Sequence, residues 1–462
     1  MRLVLRQWIA LLVLVAARVS AFAAEPARDE QLARIERAIS TGTAFLAKQQ
    51  EADGSWRSKT YGLLKDGTSL TPLAAWAISD EGEGRATRDR ALKRMSSWFV
   101  GEGRHARLAS ELQYPVYAAG LCLSTMHRGE VEANPEQIVA WTELIRLLQL
   151  NDRNGWSPDD GQYGGWGYSH EPPRKPGPGE SLSPLDEPNL SATVFALEGL
   201  VASDPEGRSI RDARRAALIF VSHCQNLRTH ESAGLMLRNP KRERGSTAAQ
   251  DREESLAHAA GYFLKPSFTE RESLDDARFN DGGFHFIQHD PVRNKPGVAG
   301  IDSRGETRFV SYGSATADGL RALLLCGVEP TDPRVVAARQ WLLAHFEDGA
   351  HPGAYSSDRS SLKPSLDYYY AASVARAFSM DHAFPGASAP QRTSVRDDES
   401  LGRAEWARRL SHRLTSRQRE DGAWSNPAVD VREDDPFVAT PLALRALQLC
   451  RDELRRVATH DR

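Results

Sequence analysis

Two acidic clusters stand where they could donate a proton. Asp186-Glu187 and Glu433-Asp434-Asp435 each lie just before a stretch that reads as an apolar helix. A carboxylic acid kept neutral by burial and by a neighbouring carboxylate can protonate a double bond. Two carboxylates at one mouth can instead hydrolyse a glycosidic bond. Asp186, Glu187, Asp434 and Asp435 are therefore candidate acids. Helix capping competes for the same residues, because Asp435 precedes Pro436 and Asp186-Glu187 precedes Pro188. A second group is aromatic. Trp166, Tyr168, Phe284, Tyr312 and the run Tyr368-Tyr369-Tyr370 are candidate ligand-binding residues, since rings offer apolar faces and phenols add a hydrogen-bonding tip. His285 and His289, spaced i, i+4 and followed by Asp290, would face one metal if helical. They follow the Gly282-Gly283 turn, which argues against a helix, so no metal ligand and no cofactor is expected.

The elements that must position these groups are helices. Six stretches are amphipathic and charged: 30–49, 86–101, 134–150, 208–226, 332–346 and 400–417. Six more are rich in small residues and apolar on most sides: 69–80, 113–127, 189–202, 311–327, 366–380 and 437–452. Asn134-Pro135, Asp204-Pro205 and Asp332-Pro333 each set a capping side chain before a proline suited to a first helical position. A helix apolar all round must be covered on every side. Alternation of the two kinds predicts an inner ring within an outer ring, in a two-helix repeat of roughly 45–50 residues.

The loops carry a second repeat. Gln50, Gly54 and Trp56 form Q-x3-G-x-W, and Gln418, Gly422 and Trp424 repeat it without deviation. Looser copies are Gly164-Gly-Trp-Gly-Tyr168, Asp281-Gly-Gly-Phe284 and Gly353-Ala-Tyr355. The glutamine is expected to bind loop backbone, the glycine to allow a reversal with positive φ, and the ring to pack on helix ends.

These motifs resemble the QW motifs of squalene-hopene and oxidosqualene cyclases. The Asp281-Gly-Gly-Phe284 turn is similar to its counterpart in protein prenyltransferase β-subunits. The resemblance covers roughly residues 30 to 450, and the chain looks most like exported bacterial proteins with prenyltransferase/squalene oxidase repeats. It implies an all-α (α/α)6 toroid with a central, aromatic-lined cavity. In the cyclases such rings hold polyprenyl chains and stabilise carbocations by cation–π attraction. The enzymes' chemical groups do not carry over. No Asp-x-Asp-Asp occurs, and the zinc-ligand positions of the prenyltransferases match Val310, Tyr312 and Tyr370. A Gly-Cys-Gly-Glu-Gln thioester segment is missing as well.

The N-terminus reads as an address. Arg2 and Arg6, the apolar run 8–17 and Ala21-Phe22-Ala23 form the pattern of a cleaved secretory signal over 1–23, so the toroid is expected over 24–462 in the periplasm or outside the cell. A net charge of −3 gives no field for nucleic acid, and no later run reaches membrane-spanning length. Cys122, Cys224, Cys326 and Cys450 are far apart, and nothing in their spacing demands a disulfide. Residues 227–280 read as a charged insertion and 382–399 as a linker. Three functions stay open: a toroid binding an apolar, isoprenoid or glycan ligand or a partner; a divergent cyclase-like enzyme using the candidate acids; and a polysaccharide-active toroid.

Overall fold

Helices whose sides are all apolar can be satisfied only by other helices, and the chain solves this by closing them into a ring. The computed structural model describes residues 29–78, 82–100, 107–108, 112–128, 135–204, 206–227, 278–348, 351–383 and 404–460. The expected leader, nearly all of the expected insertion and most of the 382–399 linker lie outside the described residues. Twelve α-helices lie among the described residues. The outer ones are α1 (29–49), α3 (Glu83–Ser96), α5 (Pro135–Leu147), α7 (Arg208–His223), α9 (Pro333–His345) and α11 (Glu405–Ser416). The inner ones are α2 (Leu70–Ala77), α4 (Pro115–Arg128), α6 (Leu190–Ser203), α8 (Gly313–Leu325), α10 (Asp367–Ala383) and α12 (Pro436–His460).

Each inner helix packs on the next, α2 on α4, α4 on α6, and so on to α10 on α12, and α12 returns to α2. The ring is closed. Outer helices lie against the inner ones that flank them in sequence. Burial follows this order: every residue of α8 is buried, whereas α3 buries one face only. Two small antiparallel hairpins complete the described part, β1 (Phe99–Val100) with β2 (Arg107–Leu108), and β3 (Val298–Ile301) with β4 (Thr307–Phe309). No helix among the described residues is long and apolar enough to cross a membrane. Cys122, Cys224, Cys326 and Cys450 are all free thiols.

Start signals are partly as expected. Asp332 caps α9, accepting from the Arg334 N–H at 2.9 Å. Asp204 instead ends α6, and α7 begins at Arg208 after Gly207, so Asp204 is not the N-cap of α7.

The QW loops prove to be clamps. Gln50 Nε2 donates to the carbonyls of Gly54 and of Thr87 on α3, both at 2.9 Å. Gln418 Nε2 does the same to Gly422 and to Ala38 on α1, again at 2.9 Å. Trp56 and Trp424 give their indole N–H to the carbonyls of Leu46 and Leu414, four residues before the motif glutamine. The looser copies hold two further clamps, with glutamines that sequence spacing did not reveal. Gln149 binds the Gly164 and Ala213 carbonyls at 2.9 Å each, and Gln225 binds Gly282 at 3.0 Å and Arg334 at 2.9 Å. In all four, the backbone N–H of the aromatic residue (Trp56, Trp166, Phe284, Trp424) donates to an inner-helix threonine, namely Thr71, Thr193, Thr316 and Thr440. Gly353-Ala-Tyr355 is not a fifth clamp: Gly353 bridges Tyr312, and the Tyr355 hydroxyl turns to His351.

The clamp glycines have φ of +81° to +89° and lie against the next outer helix. At Gly164 a Cβ would overlap the Ala216 carbonyl of α7. Gly155 shares the left-handed backbone, φ +84°, but a Cβ there would meet only the Lys175 side chain at an ordinary 3.7 Å. Alanine at Gly155 should cost about 1–2 kcal/mol for the backbone alone. Alanine at Gly164 should cost a further ~1–3 kcal/mol for the overlap. Urea denaturation of both variants checks this, and equal losses would show that the close approach contributes nothing.

Candidate functional site

The sequence places a charge inside several helices that are otherwise apolar, and burial of a lone charge is too costly to persist without a partner. Glu198 on α6, Asp318 and Arg321 on α8, and Arg376 on α10 all point into the ring. Glu198 Oε1 receives Arg321 Nη2 and Arg376 Nη2, each at 2.5 Å. Arg321 Nη1 also pairs with Asp318 at 2.8 Å. Ser373 hydrogen-bonds Asp318 and accepts from Arg321 at 3.0 Å. Burial pushes the Asp318 carboxyl up, against the pull of Arg321, while the two guanidinium groups outweigh burial at Glu198 and hold it down.

Some of these contacts join helices that are not neighbours in the ring. The Arg376 guanidinium on α10 lies 5.0 Å over the Trp76 ring of α2, and Trp76 meets Phe195 of α6 at 6.3 Å. Side chains therefore span the lumen at mid-height. A second bridge lies nearer the N-terminal ends of the inner helices. There the Tyr369 hydroxyl of α10 donates to Asp318 Oδ2 at 2.8 Å and lies 2.5 Å from Ser191 Oγ of α6. Tyr117 of α4 lies beside Ser191 and stacks on Tyr168. A continuous polar chain thus runs from Ser191 through Tyr369 to Asp318, and through Arg321 to Glu198 and Arg376.

Beside this chain, tyrosine rings cluster near the N-terminal ends of α4 and α6. Tyr114 meets Tyr168 edge-on at 5.6 Å, Tyr117 stacks on Tyr168 at 6.0 Å and 27°, and Tyr117 meets Tyr114 at 6.2 Å. Tyr114, Tyr117, Tyr168 and Tyr369 are each half-buried. The rim is held by Arg432, whose Nη1 donates to the Tyr114 hydroxyl at 3.0 Å, and by Tyr61, which donates to Asp434 at 2.6 Å. Tyr114 and Arg432 have φ of +52° and +63°, two of the three non-glycine residues in the left-handed region among those described. Such strain, on the order of 1–2 kcal/mol per residue, persists only where surrounding structure imposes it, and it concentrates at binding sites.

Three of the four candidate acids are engaged in this framework. Asp435 accepts the Phe437 N–H at 2.9 Å, capping α12, and Ser58 Oγ donates to it at 2.5 Å. Asp434 holds Tyr61. Glu187 lies 3.6 Å from Arg293, and burial raises its carboxyl. Neither Asp186 nor Glu187 caps α6, however; Asn189 does, accepting the Ala192 N–H at 2.9 Å. Glu433 caps in trans. Its carboxylate accepts the N–H groups of Asp367, Tyr368 and Tyr369 at 2.7–3.1 Å, fastening the first turn of α10. Burial pushes its carboxyl up to about 7, against those donors and Asn426.

The expected aromatic site needs correction. Trp166, Phe284, Tyr312 and Tyr370 are at most 1% exposed and Tyr368 2%. Trp166 and Phe284 are clamp rings, and Tyr312 and Tyr370 pack around His351 at 5.4 Å each. These five form wall rather than site. Tyr168 and Tyr369 alone of the expected set keep partial exposure, as do Tyr114 and Tyr117. His285 lies in extended chain, bridged beside Phe284, so His285 and His289 share no helical face.

His351 is the counterpart of Glu433 for α8: its Nε2 accepts the Ser314 N–H at 2.9 Å, which requires a neutral ring. Burial holds it down to about 3. A base whose folded value is depressed takes up protons more readily when unfolded. Its contribution is therefore full above about pH 6.5 and is lost toward pH 3, by up to about 1.4 kcal/mol per pH unit. His351→Gln keeps an acceptor without a titration, so its stability should fall less steeply from pH 6 to pH 4. Identical slopes for the two proteins would refute this role.

No protein-family model matches this chain, and no curated protein matches it. Among solved structures it is similar to the type II terpene cyclase MstE from Scytonema. A variant of that enzyme in complex with merosterolic acid A, described as product, gives a TM-score of 0.48 at 11% identity, over 92% of this chain and 99% of the other. Another variant, in complex with geranylgeranyl dihydroxybenzoate as substrate, gives 0.46 at 11% identity, over 91% and 98%. At these values the likeness extends no further than the mostly helical fold.

Proposed function

We propose that this protein is an exported toroid that binds a ligand in a pit among Tyr114, Tyr117, Tyr168 and Tyr369, at the N-terminal ends of its inner helices. The observation that carries the reading is the convergence of Tyr114, Tyr117, Tyr168 and Tyr369. These are partly exposed rings among buried neighbours, with strained backbone at Tyr114 and at Arg432 beside it, and Tyr369 is tied to Ser191 and Asp318. Large rings held at fixed angles lose little conformational freedom when a ligand arrives, which favours binding. The expected leader over 1–23 supports export.

The cyclase-like reading weakens because three of its four candidate acids are engaged. Asp435 caps a helix, Asp434 accepts from Tyr61, and Glu187 lies beside Arg293. The lumen below the pit is also bridged by paired charges, which an apolar polyprenyl chain would have to desolvate.

The test is native mass spectrometry of the protein recovered from its own compartment. We expect a species heavier than the chain, lost in Tyr168→Ala while circular dichroism stays unchanged. Wild-type protein that carries no retained mass, or a Tyr168→Ala variant that keeps it, would overturn the assignment.

A further inference from the structure

We infer that a groove on the outer wall, at the seam between the first and last outer helices, binds a small soluble phosphomonoester that carries hydroxyls, such as a sugar phosphate. This site is separate from the tyrosine pit and stands without it. Gln31 of α1 ties the seam, its Nε2 donating to the Arg408 carbonyl of α11 at 2.8 Å and to Ser411 Oγ at 2.9 Å. Along the same seam the two helices part around a cavity of about 330 Å3, the size of a small ligand's site.

The space exists because one side chain is short. In the first clamp, Arg90 of α3 follows Thr87, whose carbonyl takes Gln50, by three residues, and Arg90 Nε donates to Gln50 Oε1 at 2.8 Å. Gln149 Oε1 is likewise answered, by Asn151 Nδ2 at 3.3 Å. At the seam the residue three after Ala38 is Thr41, which is too short to repeat the Arg90 contact. Gln418 lines the cavity with its Nε2 committed to two carbonyls, so its orientation is fixed. Its Oε1 accepts from no side chain among the described residues, and an acceptor held in this way beside open space is a place for a ligand hydrogen.

Charge and hydroxyls define the ligand. Arg34 and Arg37 of α1 and His412 of α11 line the groove, and among the described residues no carboxylate does. Arg34 lies 3.4 Å from Glu30, both well exposed, whereas Arg37 pairs with no acid among the described residues. Its neighbour Glu36 is turned to Arg451 and Arg455 of α12. A guanidinium fork without an anion, set in a concave place, suits phosphate. Thr41 Oγ1 donates to the Arg37 carbonyl at 3.0 Å, Thr415 Oγ1 to Ser411 at 2.9 Å and Ser416 Oγ to Arg413 at 2.8 Å. Their hydrogens are committed, so these hydroxyls offer lone pairs, as Gln418 does. A fully ionised phosphate has no hydrogen for such acceptors, but a phosphorylated polyol brings both the anion and the hydroxyls. No large apolar side chain is exposed on α1 or α11 among the described residues, so nothing there would seat an acyl chain. The phosphate is therefore a free ester's, not a lipid head group's.

Isothermal titration of the full chain at constant ionic strength tests this, with glucose 6-phosphate and glycerol 3-phosphate against inorganic phosphate, glucose and glycerol. We expect at least one ester to bind about tenfold or more tightly than inorganic phosphate, and neither uncharged polyol to bind. Arg37→Gln should weaken the ester by about tenfold, the loss of one charge-assisted contact. Thr41→Arg should abolish binding by filling the groove as Arg90 fills its counterpart, with circular dichroism unchanged. Arg408→Gln, which removes a guanidinium paired with Glu405 on the exposed surface of α11, should bind as wild type does. Failure of both esters to bind would overturn the inference, and so would inorganic phosphate binding as tightly as they do. Ester affinity untouched by Arg37→Gln, or lowered equally by Arg408→Gln, would overturn it as well, because surface charge in general would then account for the binding.

Discussion

A glutamine side-chain amide has two hydrogens, and in this protein both must find carbonyls on different elements. That requirement organises the ring. At Gln50, Gln149, Gln225 and Gln418 one hydrogen goes to the glycine of the loop and the other to the following outer helix. The loop then has one conformation, its aromatic residue faces the helix ends, and its N–H reaches an inner-helix threonine. Each clamp thus ties two outer helices and one inner helix with a handful of directional bonds. Packing of apolar faces alone would leave the helices free to slide by fractions of a turn, since the hydrophobic effect has no direction.

The clamps also explain why charge can live in the lumen. Glu198 serves two arginines on two other helices, an arrangement that tolerates little displacement before a buried ion loses its partner. Fixed helix registers supply that precision. Above this layer the inner helices' first turns are capped from several sources, by Asn189 for α6, His351 for α8, Glu433 for α10 and Asp435 for α12. Where the cap comes from the following loop, as with His351 and Glu433, the pit wall is stitched from one repeat to the next. The tyrosines at the mouth inherit their positions from this stitching.

Much of the architecture is legible in the sequence, because helix periodicity and the Gln-Gly-Trp spacing are local. The sequence places all twelve helices and identifies two clamps outright. Gln149 and Gln225 escape the pattern because 15 and 57 residues separate them from their glycines. The physical demand is proximity in space, and a regular spacing is only its simplest expression. The site is harder. Three consecutive tyrosines point about 100° apart, and the sequence favours none of them when they are read alone. The stripe each belongs to decides. Tyr369, Ser373 and Arg376 follow one another at helical spacing and form a polar seam, matched on α6 by Ser191, Phe195 and Glu198, whereas Tyr370 continues into Val374 and Ala377. Polar residues at i, i+4 and i+7 within an otherwise apolar helix mark the lumen, and that signal lies in the residue order itself. The convergence of Tyr114 and Tyr168 does not, because it depends on how distant turns meet.

Closure of the ring has a consequence for the order of folding. The Ala38 carbonyl on α1 waits for Gln418, and Gly42 is packed by Trp424 and Leu444, so the first helix is completed by residues almost four hundred positions away. Chain emerging from the ribosome can build neighbouring repeats one at a time, but it exposes an unpaired apolar edge at each end until the twelfth helix arrives. The final step joins the most distant segments, which makes it slow on entropic grounds. Until then the growing arc is a sticky, open spiral, and any factor that keeps it from meeting another such spiral would act in that interval.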